Sequence, residues 1–202
     1  DRGTMRHGVP TVHLAVEEML RRDNRMGDVA RTGEAQAILL GDLMFQWSQE
    51  AFSTAPDVTS AARNRAATYF RKMIEEVIVG QMIDVDLATR PFATPELINR
   101  KMHLKTSSYT FIRPLQIGAA LGADMTKGNE DWCAVFGSAL GYAFQTQDDL
   151  LDLIVPAAET GKTAFSDLHE RQHTLFTQHI LEQGTEAQKM ELASLLGATL
   201  TE

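Results

Sequence analysis

The chain has 202 residues, the size of one ordinary domain. Hydrophobic residues make up 44% and charged residues 23%, which excludes disorder, collagen and low-complexity repeats. Lys+Arg is 19 against Asp+Glu of 27, a formal net charge of -8, so nothing draws nucleic acid or anionic membranes from a distance, and a bound anion needs a few placed cations or metal ions.

A lone cysteine, Cys133, cannot form an internal disulfide and fits a reducing, cytoplasmic compartment. No run approaches ~18 uninterrupted apolar residues, so no integral membrane segment is expected. The first residue is Asp and no basic-then-apolar leader follows, so the sequence is expected to be an excerpt of a longer chain.

In chain order, the basic tract Arg21, Arg22, Arg25 is offset by Glu17, Glu18 and Asp23 and carries no function. Residues 34–52 are apolar almost all round, as in a helix buried in a bundle. Residues 60–88 form a second long helix, with Met73, Ile74, Val77, Ile78, Met82 and Ile83 at helical spacing. Pro95 suits the first turn of a third helix. Lys105-Thr106-Ser107-Ser108 is hydroxyl-rich and predicts a local break, and Pro114 a kink. Residues 131–154 form another apolar helix, followed by a loop with Pro156 and Gly161. Ser166 is expected to cap a helix ending near Gly184, and residues 186–198 to form one more. The pattern predicts one all-α domain over 1–202.

The sharpest chemical feature is Phe144-Gln145-Thr146-Gln147-Asp148-Asp149-Leu150-Leu151-Asp152. At about 100° per residue, its three carboxylates share one helix sector, with Gln145 one turn back. Carboxylates so close repel unless a cation intervenes, and an oxygen-only ligand set suits Mg²⁺ better than Zn²⁺. A solvated acidic face is the alternative, weakened by the apolar neighbours Tyr142, Phe144, Leu150, Leu151, Leu153 and Ile154.

Gln81 and Asp84 share a face, and a local hydrogen bond between them is expected. Lys105 beside Thr106, Ser107, Ser108 and Tyr109, and Lys162 in the loop after Asp152, are surface lysines or together clamp a diphosphate. Thr160-Gly161-Lys162-Thr163 is no nucleotide P-loop, because position 156 is Pro and no strand precedes it. His169, His173 and His179 lack a zinc-site spacing and read as surface histidines, and Arg63, Arg65, Arg71 and Lys72 as a solvated face.

Taken in order, five segments resemble the trans-isoprenyl diphosphate synthases, the polyprenyl synthetase family. They are Asp1-Arg2-Gly3-Thr4-Met5-Arg6-His7-Gly8-Val9-Pro10-Thr11-Val12-His13, Ala37-Ile38-Leu39-Leu40-Gly41-Asp42-Leu43, Gly80-Gln81-x-x-Asp84, Lys105-Thr106, and Phe144-Gln145-x-x-Asp148-Asp149-x-x-Asp152 with Gly161-Lys162. The wording is similar to actinobacterial short-chain members. The resemblance implies an isoprenoid-synthase-type helical bundle with a central apolar cavity, Mg²⁺ as cofactor and a homodimer. It also implies condensation of isopentenyl diphosphate with an allylic diphosphate through ionisation, alkylation and proton loss.

Carried over by position, Asp148, Asp149 and Asp152 would be metal ligands. Asp1 would close a first aspartate-rich motif, and Asp84 would be a further acidic group near the metals. Arg6, Lys105, Gln145 and Lys162 would contact the allylic diphosphate. Thr106 and Tyr109 would lie beside the reacting centre, Thr106 as cation stabiliser or proton relay, and Phe144 would contact substrate. Two positions depart from the family. His7 stands where a second arginine helps bind isopentenyl diphosphate, and Gln172 stands where a lysine is common, with Arg171 and His173 beside it. The first and last helices of the family are expected to be missing from the sequence. Rival readings are a catalytically silent partner subunit, a class I terpene cyclase, whose second metal motif does not appear after Asp152, and a helical interaction module.

Overall fold

The computed structural model describes residues 3–6, 8–122, 126–156 and 165–198. Helices dominate them, and each long helix starts where a short polar side chain can satisfy an otherwise unpaired backbone N–H. The chain divides into two units, Asp1–Asp57 with Pro156–Thr163, and Val58–Val155 with Ala164–Glu202.

In the first unit, β1 (Met5–Arg6) pairs antiparallel with β2 (Val9–Pro10). Then come α1 (Val12–Arg22) and α2 (Val29–Thr54), the latter capped by the Asp28 carboxylate, which accepts from the Arg31 N–H. Of α2 only Gly33 is buried, and Ile38, Leu39, Met44 and Trp47 are exposed. The expectation of a fully buried helix over 34–52 is therefore corrected. An all-round apolar helix needs partners on several sides, and within its own unit α2 packs on α1 alone among the described helices.

The second unit opens with α3 (Ser60–Leu87), capped by Thr59, and α4 (Pro95–Met102), capped by Thr94 with Pro95 in the first turn as expected. The predicted break at 105–108 does not occur. A π-helical segment, His103–Ile112, carries the chain directly into α5 (Arg113–Leu121). The hydroxyls of Thr106 and Ser108 do not compete for local backbone groups. Thr106 bonds to the remote Gln145 and Ser108 to Glu76 on α3, so the helical backbone keeps its own ladder. Pro114, in the first turn of α5, has no N–H to offer that ladder, which favours the wider turn before it.

α6 (Lys127–Ile154), capped by Thr126, follows. The single helix predicted from Ser166 to Gly184 is two, α7 (Ser166–His169) and α8 (Leu175–Gln183), because Arg171 adopts φ 56 and Thr174 starts a new helix with a capping box to Thr177. Ser166 is not the cap, and its hydroxyl serves Asp152 instead. Thr185 and Gln188 form a second capping box at α9 (Glu186–Leu195).

The core of this unit is built chiefly on α3 and α4. Leu87 of α3, Ile98 and Met102 of α4 and the loop residue Ala93 form it, with Ile83, Leu97 and Leu175 against it. Leu87 and Ile98 have no exposed surface, and full burial of such a side chain stabilises by roughly 1.5–3 kcal/mol. The π-helical segment is pressed between α3 and α6. Gly80 of α3 lies so near that a Cβ there would sit 2.6 Å from the Lys105 backbone nitrogen. Glu76 ties the segment down from α3, accepting from Arg113 Nε at 2.8 Å and from Ser108 Oγ. Burial pulls Glu76 up, but the Arg113 and Ser108 bonds together outweigh it and hold the carboxyl below its usual range.

Candidate active site

The site grows from three helices of the second unit. α3 supplies Asp84, 3% exposed. The expected local bond exists, Gln81 Nε2 donating to Asp84 Oδ2 at 3.4 Å, but the dominant partners are two lysines. Lys105 Nζ donates to Asp84 Oδ2 at 2.5 Å, and Lys101 Nζ lies 3.2 Å from Oδ1. The Lys101 contact is bent away from hydrogen-bond alignment, so Oδ1 has no aligned donor among the described residues. Burial raises the Asp84 carboxyl, and the two ammonium groups more than reverse it, holding it ionised below the ordinary range.

The π-helical segment supplies Lys105, Thr106 and Tyr109. Its Thr106 is buried and donates to Gln145 Oε1 at 2.5 Å, and Gln145 Nε2 donates onward to Asp149 Oδ1 at 2.7 Å. The lysine-bearing segment and the acidic helix are thus joined by a polar relay. Tyr109 is about half exposed, as is Phe144, whose ring meets Phe111 edge-on at 5.6 Å between centroids.

α6 supplies the carboxylates. Asp149 is buried, and burial raises its pKa, reinforced by Asp148 and Asp152 and opposed by Gln145 and Lys101. Asp148 is the least buried of the three. Asp152 Oδ1 accepts from the Ser166 N–H at 3.1 Å and hydroxyl at 2.6 Å, and Oδ2 from the Asp167 N–H at 3.0 Å. Three of about four acceptor directions of that carboxylate are therefore spent on α7.

Sequence reasoning missed two members of the cluster. Lys101 sits four residues before Lys105 on the same helical rod, a spacing that could have signalled a shared face. Asp167 gave no local signal at all. Burial, then the charges of Asp152 and Asp149, push its carboxyl from 3.8 up to about 7. His173, expected at the surface, is 2% exposed, with Nε2 3.2 Å from the Arg90 carbonyl, because the α7–α8 turn folds it inward. Arg6 lies on β1 in the other unit. Asp1, His7 and Lys162 lie outside the described residues.

A hard dication fits this donor set. Asp148, Asp149 and Asp167 could offer oxygen ligands, the charge of Asp148 adding to burial in raising both Asp149 and Asp167, and Asp84 Oδ1 lacks an aligned donor. Among the described residues no three His, Cys, Asp or Glu groups close on a metal by themselves. Mg²⁺ usually takes one or two carboxylates and completes its shell with water and phosphate oxygens.

Asp167 also fixes a pH effect. Its native carboxyl keeps a proton to about 7 whereas the unfolded chain releases it near 3.8, so the native state binds more protons between those values. Stability without metal should fall as pH rises through that window and level off above it. Asp167→Asn should remove that share of the decline, raising stability at pH 8 by an amount on the order of a few kcal/mol. Thermal melting of both proteins in chelator from pH 4 to pH 8 checks this, and parallel curves would refute it.

Beneath the carboxylates lies a cavity of about 300 Å³, lined by Asp149, Asp167, Leu153, Phe176, Ile180 and Leu192 among others. No helix among the described residues is long and apolar enough to cross a membrane.

The chain matches the polyprenyl synthetase family model over residues 1–202. It is 30% identical over 201 residues to the geranylgeranyl diphosphate synthase of Saccharolobus solfataricus, covering 98% of this chain and 54% of that one. It is also 30% identical over 200 residues to the short chain isoprenyl diphosphate synthase of Methanocaldococcus jannaschii, covering 98% and 54%. Among solved structures, a geranylgeranyl pyrophosphate synthase from Corynebacterium glutamicum, complexed with isoprenyl diphosphate and magnesium, matches with a TM-score of 0.90 at 32% identity, over 98% of this chain and 56% of that one. With this helical fold and this arrangement of aspartates and lysines, the chain belongs to the polyprenyl synthetase family. It spans a little over half the length of these relatives.

Proposed function

We propose that the protein is a Mg²⁺-dependent trans-prenyltransferase that condenses isopentenyl diphosphate with an allylic diphosphate to give a short-chain isoprenyl diphosphate, of geranyl, farnesyl or geranylgeranyl type. The observation that carries the reading is the relay Thr106–Gln145–Asp149, which couples the segment bearing Lys105 to the acidic face of α6. The names of the relatives support the same reaction class.

Asp148 and Asp149 would hold Mg²⁺, with Asp84 as a further acidic group and Asp152 chiefly ordering α7. Bound magnesium would supply the charge that makes diphosphate a good leaving group. Lys105, with Lys162 and Arg6, would grip the diphosphate oxygens as the allylic C–O bond breaks and negative charge passes to the leaving group. The electron pair of the isopentenyl double bond then attacks the allylic cation, and a proton is lost to restore the alkene.

The Thr106 proton is committed to Gln145, which leaves the oxygen lone pairs of Thr106 to face the cation. Tyr109 and Phe144 would offer aromatic surface to the same charge. His7 would contact isopentenyl diphosphate, most strongly while protonated. A homodimer acting in the cytoplasm completes the reading, in keeping with the unpaired and buried Cys133.

The test is incubation of the full-length protein with Mg²⁺, isopentenyl diphosphate and a series of allylic diphosphates, with products identified by mass. Products lengthened by isoprene units, and lost on adding chelator, are expected. No product from any allylic partner would overturn the reading.

A further inference from the structure

Lys101 is a buried ammonium, 9% exposed, in a position that needs explaining. Its Nζ lies 3.2 Å from Asp84 Oδ1, 2.9 Å from the His173 carbonyl and 3.5 Å from Gln172 Oε1. Two of these oxygens accept hydrogen bonds and Asp84 Oδ1 is an ion-pair partner, and they come from α3 and from the turn between α7 and α8. Lys105 shares the same carboxylate through Oδ2, but its side chain is 39% exposed against 11% for Lys101. One aspartate thus carries two lysines of unequal freedom. The inner one is locked, and the outer one has access to water. The field of Lys101 also reaches Asp149 and Asp167, and it favours the ionised form of both.

We propose that Lys101 is a positioning residue, the permanent counter-ion of Asp84 that allows Lys105 to leave this carboxylate and grip a diphosphate. The physical reason is the cost of an uncompensated buried charge. With Lys101 in place, Asp84 stays neutralised when Lys105 swings outward. Without it, Lys105 is the only ammonium on a nearly fully buried carboxylate, and its release leaves Asp84 bare. Lys105 would then remain bound to Asp84 and the diphosphate would lose a ligand. The inference rests on the diphosphate-binding reading above and assigns a role to a residue that need not touch substrate.

The test is calorimetric titration of inorganic pyrophosphate in excess Mg²⁺ into the full-length protein and its Lys101→Met, Lys101→Arg, Lys105→Met and doubly substituted Lys101→Met/Lys105→Met variants. Lys101→Met should weaken binding about tenfold or more, the scale of a lost charged hydrogen bond. Lys101→Arg should stay within about threefold of the parent, because the charge is kept. In the Lys105→Met background, adding Lys101→Met should change affinity by less than about threefold, since no Lys105 is left to release. Should the Met variant not fold, Lys101→Gln removes the charge while keeping a donor for the His173 carbonyl and is held to the same expectations. Unchanged binding in the single variant, or an equal loss with and without Lys105, would overturn the proposal while leaving the diphosphate reading intact. Failure of the parent protein to bind magnesium pyrophosphate would instead overturn that reading, and this inference with it.

Discussion

Asp148→Ala should lower the rate of prenyl transfer by the full-length protein by at least about two orders of magnitude, the scale of removing one preorganised electrostatic group. Asp149 accepts from Gln145 in a buried relay, and Asp152 spends both oxygens on the start of α7. Asp148 is the least buried of the three and the best placed to offer oxygen to an ion reached from solvent. Because the side chain is only half-buried, the fold should tolerate its loss, with a change in stability within about 1 kcal/mol. Steady-state kinetics beside a melting curve separates the two effects. A full rate in a folded Asp148→Ala protein would remove this aspartate from the mechanism.

Gly141→Val should be the most damaging substitution outside the carboxylates. A Cβ at position 141 would lie 2.4 Å from Ser107 Cα and 2.6 Å from its Cβ. These are contacts with the π-helical backbone and its rigid first side-chain atom, so no rotamer change relieves them. Separating α6 from that segment should cost about 3 kcal/mol or more. For a chain of this size that lowers the melting temperature by roughly 6–12 °C. It would also stretch the Thr106–Gln145 bond, which sits one turn along the same packed interface. The rate should therefore fall in whatever fraction remains folded. Thermal melting of the variant is the check, and a melting temperature equal to the parent's would contradict the packing described here.

The acidic face of α6 was legible in the sequence because its parts lie within one helical turn and a fixed angle per residue orders them. The start of α4 was legible for the same reason, since Pro95 in a first turn is local chemistry. The π-helical segment was not. Its hydroxyls looked like a break because their partners, Glu76 and Gln145, are remote in sequence, and only packing shows that the backbone ladder goes unchallenged. Lys101 and Asp167 were missed, and Ser166 was misread as a cap, on similar grounds. Each acquires meaning from a partner brought in by another element, Asp84 for the first and Asp152 for the other two. His173 read as a surface residue because nothing in its neighbours foretold the left-handed Arg171 that turns it inward. The apolar wording of α2 promised burial, but hydrophobicity states a need for partners without supplying them.

The claim on which the rest depends is that the aspartates of α6 and the lysine of the π-helical segment together hold a metal-bound diphosphate. Crystals of the full-length protein grown with Mn²⁺ and pyrophosphate test it most directly, because manganese stands in for magnesium and scatters anomalously. The expected result is an anomalous peak coordinated by Asp148 or Asp149, with Lys105 Nζ within hydrogen-bond reach of a diphosphate oxygen. Diphosphate bound elsewhere, or metal density remote from both aspartates, would contradict it.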